Sequence, residues 1–388
     1  MQRSRLVSPL MLLCAIACSD GVTSTAADQS ADSQLSLSER ETFREARVGA
    51  VYVISNSAEA NAVMVYPRRR NGKLDAPISY GTGGRGTGGG LGNQYGLVLS
   101  EETERLYAVD AGSDEITTFA VDDGGLRFVQ RTSSNGSQPI SIAMHGRLLY
   151  VLNDGANANI TGFFIRRDGS LTPIAGSTRA RSAPTGSVDG AEISFSPDGR
   201  TLVVTEKAAN LVVTYPVLSG GLTGDPRVNA SSGTTPFGFD FTGNGTLIVS
   251  EAFGGAAGKS TVSSYTIDRA SQLSLVSASV PNGESAVCWV VASHDGKLAF
   301  VSNTGSNTVN AYAVSRNGEL SVVDGSLAST GDASGPTDMA LSRSDKYLYV
   351  RNGKSSTLSI FMPERDGSLK LLDTVTGLPA GANGLAAR

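Results

Sequence analysis

The sequence contains few of the residues on which most enzyme sites depend. It has two histidines, one tryptophan and three cysteines in 388 residues, and charged residues make up only 18%. No G-x-S-x-G, H-E-x-x-H or paired C-x-x-C motif occurs, so serine-hydrolase and zinc chemistry have no support in the sequence. A net charge of -4 provides no basic surface for a nucleic-acid backbone. We therefore expect no nucleic-acid partner.

The N-terminus has the layout of an export signal. Arg3 and Arg5 precede an apolar run from Leu6 to Ala17, which is short for a membrane span. Ala15 to Cys18 resembles a lipobox, which predicts lipidation of Cys18; a plain secretory signal cleaved nearby is the alternative. Residues 1–18 are thus predicted to be a signal peptide. The protein is then an exported periplasmic or cell-envelope lipoprotein, attached to the membrane by its lipid alone.

Residues 19–48 are predicted to be a tether that ends in a short arm. The stretch SDGVTSTAADQSADSQ is small and polar and cannot bury apolar surface, whereas LSLSERETFREARV reads as a short helix or arm. With Cys14 removed and Cys18 lipidated, Cys288 is the last cysteine. No intramolecular disulfide is expected, and Cys288 reads as a buried apolar residue.

The remainder of the chain is an internal repeat. Apolar strand segments recur at intervals of 43 to 55 residues, beginning at Val51, Leu106, Leu149, Leu202, Leu247, Ala299 and Leu348. Each is followed by a second strand that ends in an aromatic residue, then by a Gly-containing turn and a further strand. Six inner strands precede a repeat, and the seventh, GLAAR, lies at the C-terminus. This pattern predicts an all-β, seven-bladed β-propeller over residues 49–388, in which the C-terminal strand closes the first blade.

Nine of the sixteen residues from Gly81 to Gly96 are glycine, and they include a G-x-G-x-x-G match. A dinucleotide fingerprint needs a strand before it and a helix after it. Here the segment leads directly into the next inner strand. We therefore interpret it as a loop at the mouth of the channel rather than as a phosphate cradle.

Two polar rings are expected on the face that carries this loop. One lies at the end of each repeated apolar segment and includes Asp110, Asn153, Glu206, Glu251 and Asn303, which either hydrogen-bond their own turns or bind a ligand. Glu is a poor turn residue, so Glu206 and Glu251 are the leading catalytic candidates.

The other ring opens the inner strands and includes Glu192, Trp289 and Asp338. These carboxylates could bind a divalent cation, activate water or stay solvated. No other cofactor is indicated. Arg85 and Gln94 of the glycine-rich loop are the candidates for polarising a carbonyl. His145 and His294 fall on the opposite face and are not expected to be catalytic.

Blades such as AEISFSPDGRTLVVTEKAANLVVTY resemble the lactonase-type seven-bladed propellers, which include 6-phosphogluconolactonases and carboxy-muconate cyclases. The resemblance covers residues 50–388. It implies that Glu206 matches the family's glutamate, whereas the family's Arg and His positions hold Ala191 and Glu192.

The expected activity is hydrolysis or formation of a sugar-acid or muconate-type lactone. Glu206 would be the general base, Glu251 would tune its pKa, and Arg85 or a cation would stabilise the oxyanion. The alternative is a non-catalytic, surface-tethered propeller that binds a carbohydrate-like ligand or a cell-surface partner. A monomer is expected in either case.

Overall fold

The computed structural model describes residues 47–122, 125–156, 158–182 and 189–388. The predicted signal peptide with Cys18 and the predicted tether up to residue 46 lie outside these residues. From Arg47 onward the chain forms seven antiparallel sheets of four or five strands. The predicted seven-bladed β-propeller is confirmed.

The first three blades occupy the N-terminal half. Blade 1 contains β1 (Arg47–Ile54), β2 (Ala62–Arg69) and β3 (Ile78–Gly81); blade 2 contains β4 (Leu97–Ser100), β5 (Arg105–Asp110), β6 (Glu115–Asp122) and β7 (Gly125–Ser133); blade 3 contains β8 (Pro139–His145), β9 (Leu148–Asn153), β10 (Asn159–Ile165), β11 (Leu171–Pro173) and β12 (Arg179–Ala180).

The other four blades follow in the same order around the ring. Blade 4 contains β13 (Gly190–Phe195), β14 (Thr201–Glu206), β15 (Leu211–Pro216) and β16 (Arg227–Ala230); blade 5 contains β17 (Pro236–Phe241), β18 (Leu247–Glu251), β19 (Thr261–Ile267) and β20 (Leu273–Pro281); blade 6 contains β21 (Val287–Ala292), β22 (Leu298–Asn303), β23 (Thr308–Val314), β24 (Leu320–Val322) and β25 (Ala328–Ser329); blade 7 contains β26 (Pro336–Leu341), β27 (Leu348–Asn352), β28 (Thr357–Pro363) and β29 (Leu369–Thr376). The last strand, β30 (Asn383–Ala387), belongs to blade 1. Two 3-10 turns, Ser219–Gly221 and Phe253–Gly255, are the helical segments among the described residues.

The two ends of the propeller meet in blade 1. β30 pairs antiparallel with β1, with Leu385 opposite Val53. β30 also packs against β26 on one side and β4 on the other, so that the seven inner strands form a closed ring. β30 thus pairs the edge of β1 that would otherwise be free and completes blade 1, as the C-terminal position of GLAAR predicts.

Aromatic side chains hold neighbouring blades together. The repeated aromatic of the third strand is nearly or fully buried in every blade; the seven residues are Tyr66, Phe119, Phe163, Tyr215, Tyr265, Tyr312 and Phe361. Tyrosines of the second strands add polar contacts, since the Tyr107 and Tyr150 hydroxyls donate to the Gly169 and Gly221 carbonyls of the next blade. These side chains bury large apolar areas, and the Tyr107 and Tyr150 hydroxyls keep hydrogen-bond partners while buried.

The two faces of the ring carry different connections. Hairpins between first and second strands, such as Ser196–Thr201, lie on one face, which we call the hairpin face. Blade-to-blade connections lie on the other, which we call the glycine-loop face after residues 81–96. Six of the inner strands carry a β-bulge near their start, for example between Gly190 and Glu192. A bulge re-aims the side chains that follow it, and it is here that the second predicted ring lies.

Candidate functional site

The glycine-rich loop closes the channel from the glycine-loop face. It runs from β3 into β4 with no helix after it, as the sequence predicts for a propeller loop. Glycine is required where the loop crosses its neighbours, because a Cβ on Gly86 would collide with the backbone of Asn56. A Cβ on Gly84 would likewise collide with the Asp110 side chain. The last part of the loop, residues 93–95, enters the channel, and we call it the plug.

The plug is anchored to blades on several sides of the channel. Gln94 donates from Nε2 to the Val290 carbonyl at 2.7 Å, and its Oε1 accepts the Val290 N–H at 3.1 Å. The Gln94 N–H donates to the Ala191 carbonyl at 3.0 Å. Asn93 donates to the Ile140 carbonyl, and its own carbonyl accepts the Trp289 indole N–H at 2.7 Å. Gln94 and Trp289, both predicted as ligand-binding residues, thus hold the plug in place.

Glu192 and Asp338 face the channel, and each hydrogen-bonds the backbone of a neighbouring blade. Glu192 accepts the Phe239 N–H at 2.7 Å, and Asp338 accepts the Gly384 N–H. Glu192 is completely buried and Asp338 is 2% exposed. Burial raises the pKa of Glu192 well above its ordinary range and that of Asp338 to about 7, although Arg351 opposes the second shift. One oxygen of each carboxylate has no hydrogen-bond partner among the described residues.

Tyr95 brings a third carboxylate into this group. The Tyr95 side chain hydrogen-bonds Asp240, and burial raises the pKa of Asp240 to about 6. The charges of Asp240, Glu192 and Asp338 together raise the pKa of Tyr95 beyond the effect of its burial. Within the described residues, no three His, Cys, Asp or Glu side chains are arranged to hold a metal ion. The channel therefore contains an acidic cluster without the geometry of a cation site.

Glu206 and Glu251 lie inside their own blades. Both are fully buried. Glu206 accepts hydrogen bonds from the Ser182 hydroxyl and N–H. Glu251 accepts from the hydroxyls of four side chains and from one backbone N–H, at 2.5 to 3.3 Å; the donors are Ser231, Gly233, Thr261, Ser263 and Ser279. The two glutamates share no hydrogen-bond partner among the described residues. Their action as a catalytic pair therefore stays a prediction.

Other members of the same ring have a similar environment. Asp110 accepts hydrogen bonds from Thr82 and Thr117, both at 2.6 Å, and burial raises its pKa. Asn153 donates to Asn159 at 2.9 Å, and Asn303 donates to residues of its following strand. Asn153 and Asn303 thus bond the following strand of their own blade, whereas Asp110 also bonds Thr82 of the glycine-rich loop.

The structure therefore brings together only part of the predicted site. Gln94 belongs to the plug, Trp289 hydrogen-bonds it, and the charges of Glu192 and Asp338 act on its Tyr95. The ring residues after the second strands are distributed among separate blades. Arg85 projects from the glycine-rich loop with an exposed side chain, next to Ser113, whose hydroxyl accepts the Arg85 N–H.

A pocket of about 480 Å³ opens on the glycine-loop face beside the plug. We call it the glycine-loop pocket. Its walls include Gly90, Leu91 and Gly92 of the loop, the ring of Phe237, and the side chains of Asp189 and Lys207. Lys207 lies 3.1 Å from an Asp189 oxygen and 4.8 Å from the centre of the Phe237 ring. The half-exposed Asp189 carboxylate is thus held at the edge of a partly apolar pocket.

One feature of this pocket favours a ligand with a carbonyl or carboxylate group. The N–H groups of Gly90, Leu91 and Gly92 have no acceptor among the described residues. Free backbone donors of this kind are typical of binding sites for such groups. Asp189 has a φ of +48°, but the residues before the inner strands of other blades, Gln138, Thr235 and Ala286, also have a positive φ, so this conformation belongs to the repeat.

The sequence analysis missed Lys207 and Asp189. A signal was present, because blade 4 has a lysine directly after the ring residue, where the other blades have Asn56, Ala111, Asp154, Ala252, Thr304 and Gly353. Cys288 also lines the pocket. It is 8% exposed, and burial raises the pKa of its thiol to about 12, which leaves it unreactive at neutral pH.

The family model of the seven-bladed β-propeller lactonases matches residues 32–291 and 260–383. The chain therefore belongs to this lactonase family. No significant match is found among curated proteins.

Solved structures with the same fold cover most of the chain. The Pseudomonas aeruginosa periplasmic gluconolactonase PpgL is 19% identical with a TM-score of 0.68, covering 86% of this chain and 98% of its own. A proposed 6-phosphogluconolactonase from Bacteroides fragilis is 17% identical with a TM-score of 0.67, covering 88% and 98%. A Lactobacillus plantarum protein is 20% identical with a TM-score of 0.69, covering 88% and 100%. At these identities the likeness concerns the fold.

In the part of the chain that the structure describes, no helix has the length and apolar character needed to cross a bilayer.

Proposed function

We propose that the protein is an exported lactonase that hydrolyses a sugar-acid lactone in the glycine-loop pocket. The observation that carries this proposal is that the Asp189 carboxylate lines the same pocket as Gly90, Leu91 and Gly92. Lys207 holds the carboxylate at 3.1 Å, and the N–H groups of the three loop residues have no partner among the described residues. Membership of the lactonase family supports the reaction class. The predicted signal peptide supports export, and PpgL is a periplasmic relative by fold.

Lactone hydrolysis requires a base, a water and a site for the developing oxyanion. In the proposed reaction Asp189 takes a proton from water, whose oxygen attacks the lactone carbonyl. The N–H groups of Gly90 to Gly92 donate to the oxyanion of the tetrahedral intermediate. The intermediate then collapses, the ring C–O bond breaks, and the leaving ring oxygen receives the proton that Asp189 took from water. The product is the open hydroxy acid.

Lys207 positions the base in this scheme. Its ammonium group donates to the carbonyls of Gly92 and Gly190 at 2.5 and 2.9 Å, and it pairs with Asp189. These contacts use all three of its donors, so the ammonium joins the glycine-rich loop to the strand that begins at Gly190. Phe237, packed on Trp289 with ring centres 4.8 Å apart, offers an apolar wall to a sugar ring.

A second candidate function is lactone or carbohydrate binding without catalysis. It is favoured by the complete burial of Glu206 and Glu251, which keeps both from a bound lactone, and by the use of every Lys207 donor within the protein.

The deciding experiment is a panel of aldonolactones and muconolactones assayed with a pH indicator. We expect Asp189→Asn to lower kcat/KM by about 100-fold or more, the usual contribution of a general base. Asp225→Asn, an exposed carboxylate outside the pocket, should leave it unchanged. Loss in Glu206→Gln with full activity in Asp189→Asn would return the base to Glu206. A folded protein without turnover, but with saturable lactone binding, would establish the binding module.

A further inference from the structure

A second cavity lies on the hairpin face, at the other end of the channel. Its volume is about 310 Å³, and the inner strands of five blades line it. Polar and apolar surface contribute almost equally to its wall; the large apolar lining residues include Leu97, Leu99, Val291, Met339, Leu341 and Leu385. Its polar side chains are Tyr95, Glu101, Asp240 and His294. Because the plug lies between this cavity and the glycine-loop pocket, the two are separate sites.

Asp240 offers a free acceptor position to this cavity. Its Oδ1 accepts the Phe241 N–H at 2.7 Å, its Oδ2 accepts the Ala292 N–H at 2.8 Å, and the Tyr95 side chain makes a third hydrogen bond. A carboxylate has about four acceptor positions. Asp240 is only partly buried and lines the cavity, so the fourth position is open to a ligand there.

The negative charge of Asp240 lacks a fixed cationic partner. No Lys or Arg lines the cavity, and Asp240 makes no ion pair with either residue type among the described residues. Glu101 is paired with the exposed Arg343 at 3.3 Å. The Nδ1 of His294 is held by Asp345 at 2.5 Å. A carboxylate without a cationic partner in a partly apolar cavity is stabilised by a ligand of opposite charge.

We propose that the hairpin-face cavity binds a small organic cation, a primary ammonium ion on a short aliphatic stem. The ammonium group donates to Asp240, and the stem contacts the leucine and valine side chains. A volume of about 310 Å³ suits a small ligand, since pockets for larger ligands extend to about 1,000 Å³. Anions are disfavoured by Glu101 and Asp240. A metal ion lacks a third ligand among the described residues.

The test uses n-butylammonium chloride as the probe and n-butanol as its neutral counterpart, with binding followed by calorimetry on the purified protein at pH 7.5. We expect saturable binding of n-butylammonium with a Kd of about 10 mM or tighter and no saturable binding of n-butanol. Asp240→Asn should weaken binding at least tenfold. The control Asp295→Asn changes a carboxylate of the same face that is paired with Lys297 outside the cavity, and should leave binding unchanged.

A second variant covers the case in which Asp240→Asn does not fold. Ala292→Leu fills the cavity from β21 and leaves the carboxylate in place, so it should abolish binding while the circular dichroism of the fold is retained. Equal binding of n-butanol and n-butylammonium would overturn the proposal, as would unchanged binding in Asp240→Asn or Ala292→Leu. Absence of saturable binding would overturn it as well.

Acidification provides an independent check on the same site. The titratable groups that face Asp240 are Tyr95 of the plug, Glu192 of β13 and His294 after β21. Because burial raises the pKa of Asp240 to about 6, lowering the pH from 7.5 to 5 protonates most of the Asp240 carboxylate and should weaken n-butylammonium binding by about tenfold. Binding that persists at pH 5 would contradict a role for the Asp240 carboxylate.

Discussion

The Gln94 side-chain amide pairs with the backbone of Val290 as a neighbouring β-strand would. It donates to the Val290 carbonyl at 2.7 Å and accepts the Val290 N–H at 3.1 Å. Gln94 belongs to the loop between blades 1 and 2, and Val290 lies in blade 6. One side chain therefore connects parts of the ring that are distant in sequence, and it satisfies a backbone unit facing the channel.

We predict that Gln94→Ala lowers the free energy of unfolding by about 3 kcal/mol, because several buried backbone groups lose their partner. Gln130→Ala is the matched control. Gln130 makes the same two-point contact with Leu171, but between outer strands at the rim, where water can replace it. The control should lose about 1 kcal/mol. Urea unfolding measures both, and equal losses would show that the plug contact stabilises the protein no more than the contact at the rim.

Stability should fall as the pH rises from about 4 to about 7. Burial raises the pKa values of Asp240 to about 6 and of Asp338 to about 7, and it also raises that of Glu192. A carboxyl whose pKa is higher in the folded state binds more protons there than in the unfolded chain between the two pKa values. The stability that protonation provides is thus complete at the acid end of this window and is lost toward neutral pH.

Glu192→Gln isolates one of these groups. The amide is neutral at every pH, so the variant should unfold at a higher temperature than the wild type at pH 8 and show a smaller gain at pH 5. Removing one unpaired buried charge is worth about 1 to 3 kcal/mol. Thermal unfolding across the pH range checks this, and a gain that is equal at both pH values would rule out titration of Glu192 as its source.

Glu251→Gln should destabilise blade 5 by about 3 kcal/mol, since an NH2 group would replace an oxygen that now accepts from hydroxyl or N–H donors. Glu364→Gln is the exposed control and should stay within about 0.5 kcal/mol of the wild type. Chemical unfolding reports both. A Glu251→Gln protein of unchanged stability but lower lactone turnover would instead support the catalytic role predicted from the sequence.

Deletion of residues 383–388 should open the ring. β30 supplies the inner strand of blade 1 and packs against β26 and β4, so its loss exposes the edge of β1 and the apolar surface around Leu97. We expect aggregation or loss of cooperative thermal unfolding. Leu385→Ala, which keeps the strand but leaves a cavity, should cost about 2 to 5 kcal/mol and still give a single transition. A deleted chain that unfolds like the wild type would contradict closure by β30.

The repeat was sufficient to predict the architecture. Strands such as β14 and β15 alternate or run apolar between Gly-containing turns. The position of GLAAR at the C-terminus implied closure, because blade 1 otherwise lacks its inner strand. These features are local or follow from counting, so the sequence displays them directly.

The site could be predicted only in part, because its key contacts join residues that are distant in sequence. Glu206 and Glu251 looked unusual as turn residues, yet their surroundings are serine and threonine hydroxyls brought in by neighbouring strands and loops. Conversely, Asp189 and Lys207 line a pocket only together with the glycine-rich loop, about one hundred residues earlier in the sequence. The sequence repeat predicts neither such contacts nor the bulges that turn Glu192 and Asp338 toward the channel.

Blade 1 is begun first and finished last. During synthesis β1 emerges early, but Val51 must wait for Ala387, more than three hundred residues later, before its sheet has an inner strand. At about 5 to 20 residues per second, this leaves an unsatisfied strand edge for roughly half a minute. Any factor that covers the edge of β1 during synthesis, or any stop codon that removes the last few residues, would therefore affect whether the whole ring closes.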